Sequence, residues 1–359
     1  MSILYPSRRG LIKGTAGAAA TSLVGKSAFA QDTVKAGFVY VGPIGDYGWT
    51  HGHHLGLEAV NEAFGDAVET TYVESVEEGT SEGVIRQLAA AGNDIIFTTS
   101  FGYMEPTLKV APQFPDVKFE HATGYKTAPN MSAYNAKFHE GRAVCGTIAG
   151  HLSKTGVLGY VASFPIPEVV MGINALTLAA QRINPDITTK VVWVNSWYDP
   201  GLEGDAAKAL IDQGVDIVSQ HTDSPAPLQV AEQRGVLGFG QASDMVQFAP
   251  AAQLTSILDI WGPYYVQRVQ DVIDGTWQSH SVWQGLKEGL VAMAPYSEAV
   301  PENVRADADA VHDGIIDGSF HPFTGPIKNQ AGEVVVPEGE TMSDADLAVM
   351  DWYVEGVEA

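Results

Sequence analysis

Short apolar runs of strand length alternate with stretches of helical period along most of the chain. Runs at 34–41, 68–73, 94–98 and 117–121 are separated by amphipathic stretches at 50–64, 81–91 and 105–114. Strands spaced by helical patterns of this length predict βαβ units, and so a parallel sheet with helices on both faces. A long helical stretch at 137–153 leads away from this first half. The alternation then restarts, with strands at 157–162, 189–195, 215–220 and 236–240 and helices at 168–183, 203–213 and 227–234. Beyond it come a strand at 253–258, a helix at 261–274, an apolar segment at 289–294 and a helix at 301–317 capped by Asp317-Gly318. Val334-Val335-Val336 followed by Gly339 predicts a closing hairpin. About 330 residues exceed what one core serves, and the two halves read as copies of one α/β plan. No low-complexity linker divides them, so several strand-like crossings are expected in place of one tether.

The stretch from Val41 to Thr50 leaves the first strand and enters the first helix. Three glycines and a proline let its backbone approach a ligand closely, while Asp46, Tyr47 and Trp49 offer one acceptor and two flat surfaces. Its G-x-x-G-x-x-G spacing matches neither a dinucleotide fingerprint nor a phosphate loop. The alternative is a tight turn whose Trp49 staples the helix to the core. Other strand ends share this character. They are Thr99-Ser100-Phe101-Gly102-Tyr103, Thr123-Gly124-Tyr125, Ser163-Phe164-Pro165-Ile166-Pro167, Ser196-Trp197-Tyr198-Asp199-Pro200-Gly201, His221-Thr222-Asp223-Ser224 and Gln241-Ala242-Ser243-Asp244. In parallel sheets ligands bind at the carboxyl ends of the strands, so two facing halves bring these loops to one cleft. Aromatic plates, a few carboxylates and small hydroxyl groups suit a flat heterocycle, whose faces stack and whose edge is read by hydrogen bonds.

Composition narrows the setting. Ser7-Arg8-Arg9-Gly10-Leu11-Ile12-Lys13, a weakly apolar run at 14–25, Lys26 and Ala28-Phe29-Ala30 before Gln31 form a signal peptide in the order basic, apolar, small-x-small. The paired arginines resemble a twin-arginine signal. Removing Arg8, Arg9, Lys13 and Lys26 makes the formal charge four units more negative than −23, which disfavours nucleic acid and anionic lipid as partners. The single cysteine, Cys145, excludes an intrachain disulfide and lies far from the cleavage site, so no acylated anchor is expected. After the signal no apolar run reaches membrane-spanning length.

With these features in view, the chain resembles the basic membrane protein family of ABC-transporter substrate-binding proteins. The resemblance rests on Gly42 to Trp49, Phe97-Thr98-Thr99-Ser100-Phe101-Gly102-Tyr103, Ser163-Phe164-Pro165-Ile166-Pro167-Glu168, Trp197-Tyr198-Asp199-Pro200 and His221-Thr222-Asp223-Ser224. It implies an α/β fold of the type I periplasmic binding protein kind: two Rossmann-like lobes with parallel sheets, hinged by several crossover segments. The expected lobes are 32–135 plus 255–280, and 136–254 plus 281–359. It further implies a periplasmic monomer without cofactor or metal, taking a purine to an inner-membrane ABC permease. By resemblance to the family's purine nucleoside receptors, Trp49 and Trp197 would sandwich the base. The family's Asn-Asp after the first aromatic is Thr50-His51 here, and its ribose-holding Asp-x-Asp matches Ala242-Ser243-Asp244. Loss of that first carboxylate favours a free base, adenine first. Expected ligand contacts are Tyr47, Trp49, Ser100, Phe101, Tyr125, Trp197, Asp223 and Asp244.

Other patterns lead elsewhere. His51, His53, His54 and Glu58 share a helix and could bind a metal, but no second cluster completes a site. Trp261, Tyr264, Tyr265 and Arg268 stand at helical spacing and read as core, with Trp261 at the cleft wall as the alternative. Gly238 to Ser243 approaches a dinucleotide fingerprint but carries Ser for the last Gly. An exported nucleoside hydrolase using Asp46, Asp223 or Asp244 is the competing enzyme reading, and a nucleoside receptor the competing ligand reading. Replacing Arg8 and Arg9 together by Lys is expected to block export, and N-terminal sequencing of the exported protein to begin near Gln31. An intact Met1 on cytoplasmic protein would contradict this.

Overall fold

The computed structural model describes residues 33–359; the export signal expected from the sequence lies outside them. The first half runs β1 (Val34–Tyr40), α1 (Trp49–Phe64), β2 (Val68–Val73), α2 (Ser81–Ala90), β3 (Ile95–Thr99), α3 (Met104–Val110), β4 (Lys118–Ala122) and β5 (Met131–Ala136). The second runs α4 (Phe138–Leu152), β6 (Val157–Ala162), α5 (Pro167–Ile183), β7 (Thr188–Trp193), α6 (Pro200–Asp212), β8 (Ile217–His221), α7 (Ala226–Arg234), β9 (Leu237–Gly240) and β10 (Gln253–Asp259). The chain closes with α8 (Gly262–Ile273), β11 (Ser281–Gln284), β12 (Val291–Met293), α9 (Glu302–Asp317), β13 (Ile327–Lys328), β14 (Val334–Val336), α10 (Asp344–Leu347) and β15 (Val357–Glu358).

Two large sheets result, ordered β11-β5-β4-β3-β1-β2 and β12-β10-β9-β8-β6-β7-β15, beside the two-stranded hairpin β13-β14. The first is parallel throughout; in the second only β12 runs antiparallel, against β10. The strand order reverses direction between β1 and β3, and again between β6 and β8, which opens a crevice at the carboxyl ends of each sheet. Sheet membership departs from the expected lobe limits in two places. Residues 255–259 continue β10 in the second sheet, and 281–284 form β11 at the edge of the first. A strand's apolar pattern says that it is covered and leaves open which sheet edge it joins.

The chain thus passes between sheets after β5, after β10 and after β11, and backbone bonds tie the passages together: Lys137 N–H donates to Gln284 C=O at 2.7 Å and Ile260 N–H to Leu290 C=O at 2.8 Å. α8 returns to the first half by packing on α1, where a Cβ on Gly56 would overlap the Tyr265 ring. Its anchor is a buried ion pair. Arg268 Nε donates to Glu120 Oε1 on β4 at 2.8 Å, and the same carboxylate accepts Tyr264 Oη at 2.6 Å and Trp277 Nε1 at 2.7 Å. The spacing of Trp261, Tyr264, Tyr265 and Arg268 is therefore that of a buried face. On the second half, Asn174 of α5 holds the segment leading into β15 by donating to Trp352 C=O at 2.8 Å and accepting from Val354 N–H at 3.0 Å. Cys145 is fully buried in α4, and burial pushes its thiol up to about 12.

Removing one partner of a buried pair strands the other charge, at a cost of roughly 3 to 5 kcal/mol. Arg268→Met is accordingly expected to lower unfolding stability by about 3 kcal/mol or more in a urea titration. A loss below about 1 kcal/mol would show that the pair does not anchor α8.

Candidate functional site

The first helix starts where it does because of Asp46. Its Oδ1 accepts the N–H groups of Gly48 and His51 at 2.9 Å, and its Oδ2 accepts Thr50 N–H at 3.0 Å. The acceptor offered by the loop is thus spent on the helix N-terminus. Trp49, the first residue of that helix, is locked in place. Its indole Nε1 donates to Thr99 C=O at 2.6 Å, and its ring meets Trp261, His53 and Phe138 edge-on at 5.4, 4.3 and 5.9 Å. His53 is fully buried and stacks on Trp261 at 4.5 Å, so it belongs to the core and not to a rim. Among the described residues no group of His, Cys, Asp and Glu is arranged to hold a metal ion.

Trp49 forms one wall of a cavity between the carboxyl ends of the two sheets, with about 340 Å³ of free space when its opening to solvent is counted. From the first half it is lined by Val41, Trp49, Ser100, Phe101 and Thr123, and from the second by Glu168, Trp197, His221, Asp223 and Gln241. Five of the residues expected from sequence meet here: Trp49, Ser100, Phe101, Trp197 and Asp223. Three do not. Tyr47, with φ of 61°, turns outward and packs its ring edge on Phe248 at 4.6 Å. Tyr125 is 64 % exposed and lines a neighbouring cavity with Trp283. Asp244 is exposed and folded into its own loop, accepting from Val246 N–H at 3.1 Å and Gln253 Nε2 at 2.7 Å.

Sequence reasoning misses Glu168, His221, Gln241 and Thr123, although each lies in or beside one of the strand-end loops. Adjacent residues at a strand end point opposite ways, and positive φ at Thr123 (63°) and Ala242 (63°) turns the chain there. Composition alone does not decide which neighbour faces inward. All five non-glycine residues of positive φ among those described, Tyr47, Ser75, Thr123, Asn195 and Ala242, follow strand ends on this side. Such conformations persist where surrounding structure holds them, and they cluster at functional sites.

The halves touch around the cavity. A Cβ on Gly48 would overlap the Asp223 backbone, and Ser243 Oγ donates to Tyr47 C=O. Polar atoms buried at this junction lack partners within the protein: Asp223 Oδ2, Glu168 Oε2, His221 Nδ1 and both carboxyl oxygens of Asp259. Burial holds His221 below its ordinary value, so the imidazole is neutral; with Nε2 3.4 Å from Glu168 Oε1, donation there leaves Nδ1 an acceptor. Burial, then the charges of Asp46 and Glu203, push Asp223 well above the usual carboxylate range. Asp46 itself is raised to about 6, chiefly by burial. Asp259 is likewise pushed up by burial and by Glu168. The cavity is aromatic on several sides and rich in acceptors.

Comparison with known proteins places this geometry. The family model described as ABC transporter substrate-binding protein PnrA-like, Bmp, matches residues 33–317. A purine-binding protein of Brucella abortus is 57 % identical over 337 residues, covering 94 % of this chain and 96 % of that protein. A putative ABC transporter glucose-binding protein of Haloferax volcanii is 37 % identical, covering 91 % of this chain and 81 % of that one. The solved solute-binding protein of an Aeropyrum pernix ABC transporter superposes with a TM-score of 0.71 at 20 % identity, over 87 % of this chain and 95 % of that one. It shares the fold.

A carboxyl raised by folding favours the folded protein below its ordinary pKa near 4. That contribution is lost as pH rises toward the folded value, at about 1.4 kcal/mol for each pH unit separating the two pKa values. Asp223→Asn removes the titration. Wild type is therefore expected to lose stability relative to Asp223→Asn as pH rises from about 4 to about 8. Urea unfolding at both pH values measures it, and a gap independent of pH would contradict the burial of Asp223.

Proposed function

The chain belongs to the PnrA-like, or Bmp, family of ABC transporter substrate-binding proteins, and from that premise we propose that it binds a free purine base, adenine first, between two lobes and delivers it to an inner-membrane ABC permease. The lobes of this reading follow the two sheets, with residues 33–136 and 262–284 in one and 138–259 and 291–359 in the other. The observation that carries it is the composition of the shared cavity. Trp49, Phe101 and Trp197 supply flat faces, and Asp223, Glu168 and His221 supply buried unpartnered polar atoms. An aromatic face binds either side of a planar base, and each unpartnered acceptor takes a ring or amine N–H.

Ala242 is buried, and its carbonyl accepts from Asp259 N–H at 2.9 Å, so its side chain brings nothing to a ribose hydroxyl. Burial raises the Asp223 carboxyl, and in its protonated form it both donates and accepts, the pattern that the adjacent acceptor and amine of an adenine edge require. The name of the Brucella relative supports a purine, and that of the Haloferax relative makes glucose the control ligand. Family and relatives are substrate-binding proteins, so binding without turnover is the expected behaviour.

Calorimetric titration of ligand-stripped protein with adenine, guanine, hypoxanthine, their nucleosides and glucose is the test. Adenine is expected to bind at least about tenfold more tightly than adenosine, since each ribose hydroxyl buried without a partner costs roughly 1 to 3 kcal/mol. Trp49→Ala and Trp197→Ala should each weaken adenine by about one to two orders of magnitude, the worth of one base–aromatic stack. Equal or tighter adenosine binding rejects the free base, glucose binding without purine binding rejects the purine, and nucleoside cleavage restores the enzyme reading.

A further inference from the structure

The two tryptophans of the cavity are held in different ways. Trp49 is fixed entirely from the sheet ends and helices around it, through Thr99, Trp261, His53 and Phe138. Trp197 follows β7, is backed by the tilted ring of Phe164 at 5.1 Å, and sends its indole N–H across to the first half, where Nε1 donates to Glu78 Oε1 at 3.2 Å. Glu78 sits between β2 and α2, and no sequence feature marks it. Its Oε1 also accepts Ser100 Oγ at 2.6 Å and Gly102 N–H at 3.0 Å. A Cβ on Gly102 would overlap the Glu78 carboxylate, so a side chain there would push the acid out of this position. One oxygen therefore joins Ser100 and the turn carrying Phe101 to Trp197, and all three line the cavity. Trp197 and Val41 also line an outer groove with Glu78, Gly42 and Ser75, so the indole stands between cavity and outside.

We propose that Glu78 is a positioning residue for ligand retention, latching Trp197 as the door of the cavity once the halves are together. The inference rests on the reading of this cavity as the ligand site. The latch joins groups on opposite halves, so it forms after the ligand has entered. Breaking it speeds release and leaves entry unchanged. A bond to a carboxylate also orients the indole ring, so the stacking face of Trp197 depends on an acid that does not itself line the cavity.

The test is a double-mutant cycle on the mature chain with adenine as probe, followed by stopped-flow tryptophan fluorescence. Glu78→Ala is expected to raise the dissociation rate about tenfold with association within about twofold, the scale of one charge-assisted hydrogen bond. Glu78→Gln keeps an oxygen for all three donors and should restore release to within about threefold of wild type. In a Trp197→Phe background, which keeps a ring and removes the donor, Glu78→Ala should add no more than about twofold. The indole N–H resonance of Trp197 should shift in Glu78→Ala and return in Glu78→Gln. Equal effects of Glu78→Ala in both backgrounds, or an effect confined to association, would overturn the latch and leave purine binding standing. Wild-type protein that binds none of adenine, guanine or hypoxanthine would overturn the purine reading and the latch with it.

Discussion

The contact on which the site depends is backbone against backbone: Gly48, at the head of α1, lies on Asp223, just past β8. No side chain fits between them. Because Gly48 is held by Asp46 and leads directly into Trp49, the approach sets how far the Trp49 ring stands from the second sheet. It also buries Asp223 within reach of the Asp46 and Glu203 charges, so one steric fact bears on both the width of the cavity and the upward shift of the carboxyl in its wall. A glycine is required at this point by proximity and not by φ, which is −114° there.

Burying carboxyl groups without a facing cation is costly unless they are neutral or fully hydrogen-bonded, and the three acids here meet that demand differently. Asp46 is surrounded by helix N–H groups. Glu203 accepts Asp199 N–H on one oxygen and both Ser224 N–H and Ser224 Oγ on the other. Asp223 keeps an oxygen without a partner and is the one that lines the cavity. Of these three, the two that serve structure are satisfied and the one that lines the cavity is incomplete, as are Glu168 beside it and Asp259 nearby.

Most of the fold was legible because βαβ units repeat two periods that buried surfaces impose, and strands β1 to β4 and β6 to β10 fall within a few residues of the apolar runs. β5 and β11 were not legible. Met-Ser-Ala-Tyr-Asn-Ala and Ser-Val-Trp-Gln carry weak alternation and are strands because they pair with each other and with β4. The site was half legible for a similar reason. Loops at strand ends advertise a cleft by composition, which found Trp49, Ser100, Phe101, Trp197 and Asp223. Which neighbour faces inward is settled by turns such as that at Thr123, and those cost Glu168, His221 and Gln241. Glu78 lay beyond reach altogether, since its role comes from a contact 119 positions along the chain.

The asymmetry between the tryptophans gives the cavity a fixed wall and a dependent one. Trp49 makes its contacts through a packed aromatic cluster that includes Trp261, Tyr134 and Tyr265, groups shared with the helix that returns from the second sheet. That cluster is tied in turn by the Glu120 and Arg268 pair, so the wall offered by Trp49 rests on the core of the first half. Trp197 has one tilted phenylalanine behind it and one acid across the junction. A planar ligand that stacks on the fixed wall finds its second face covered only when the far half supplies Trp197, and that half is positioned by the Gly48 contact. In the proposed reading, affinity therefore reads out the closeness of the two backbones. Any side chain added at 48 would hold the walls apart and leave the aromatic faces intact but out of stacking distance.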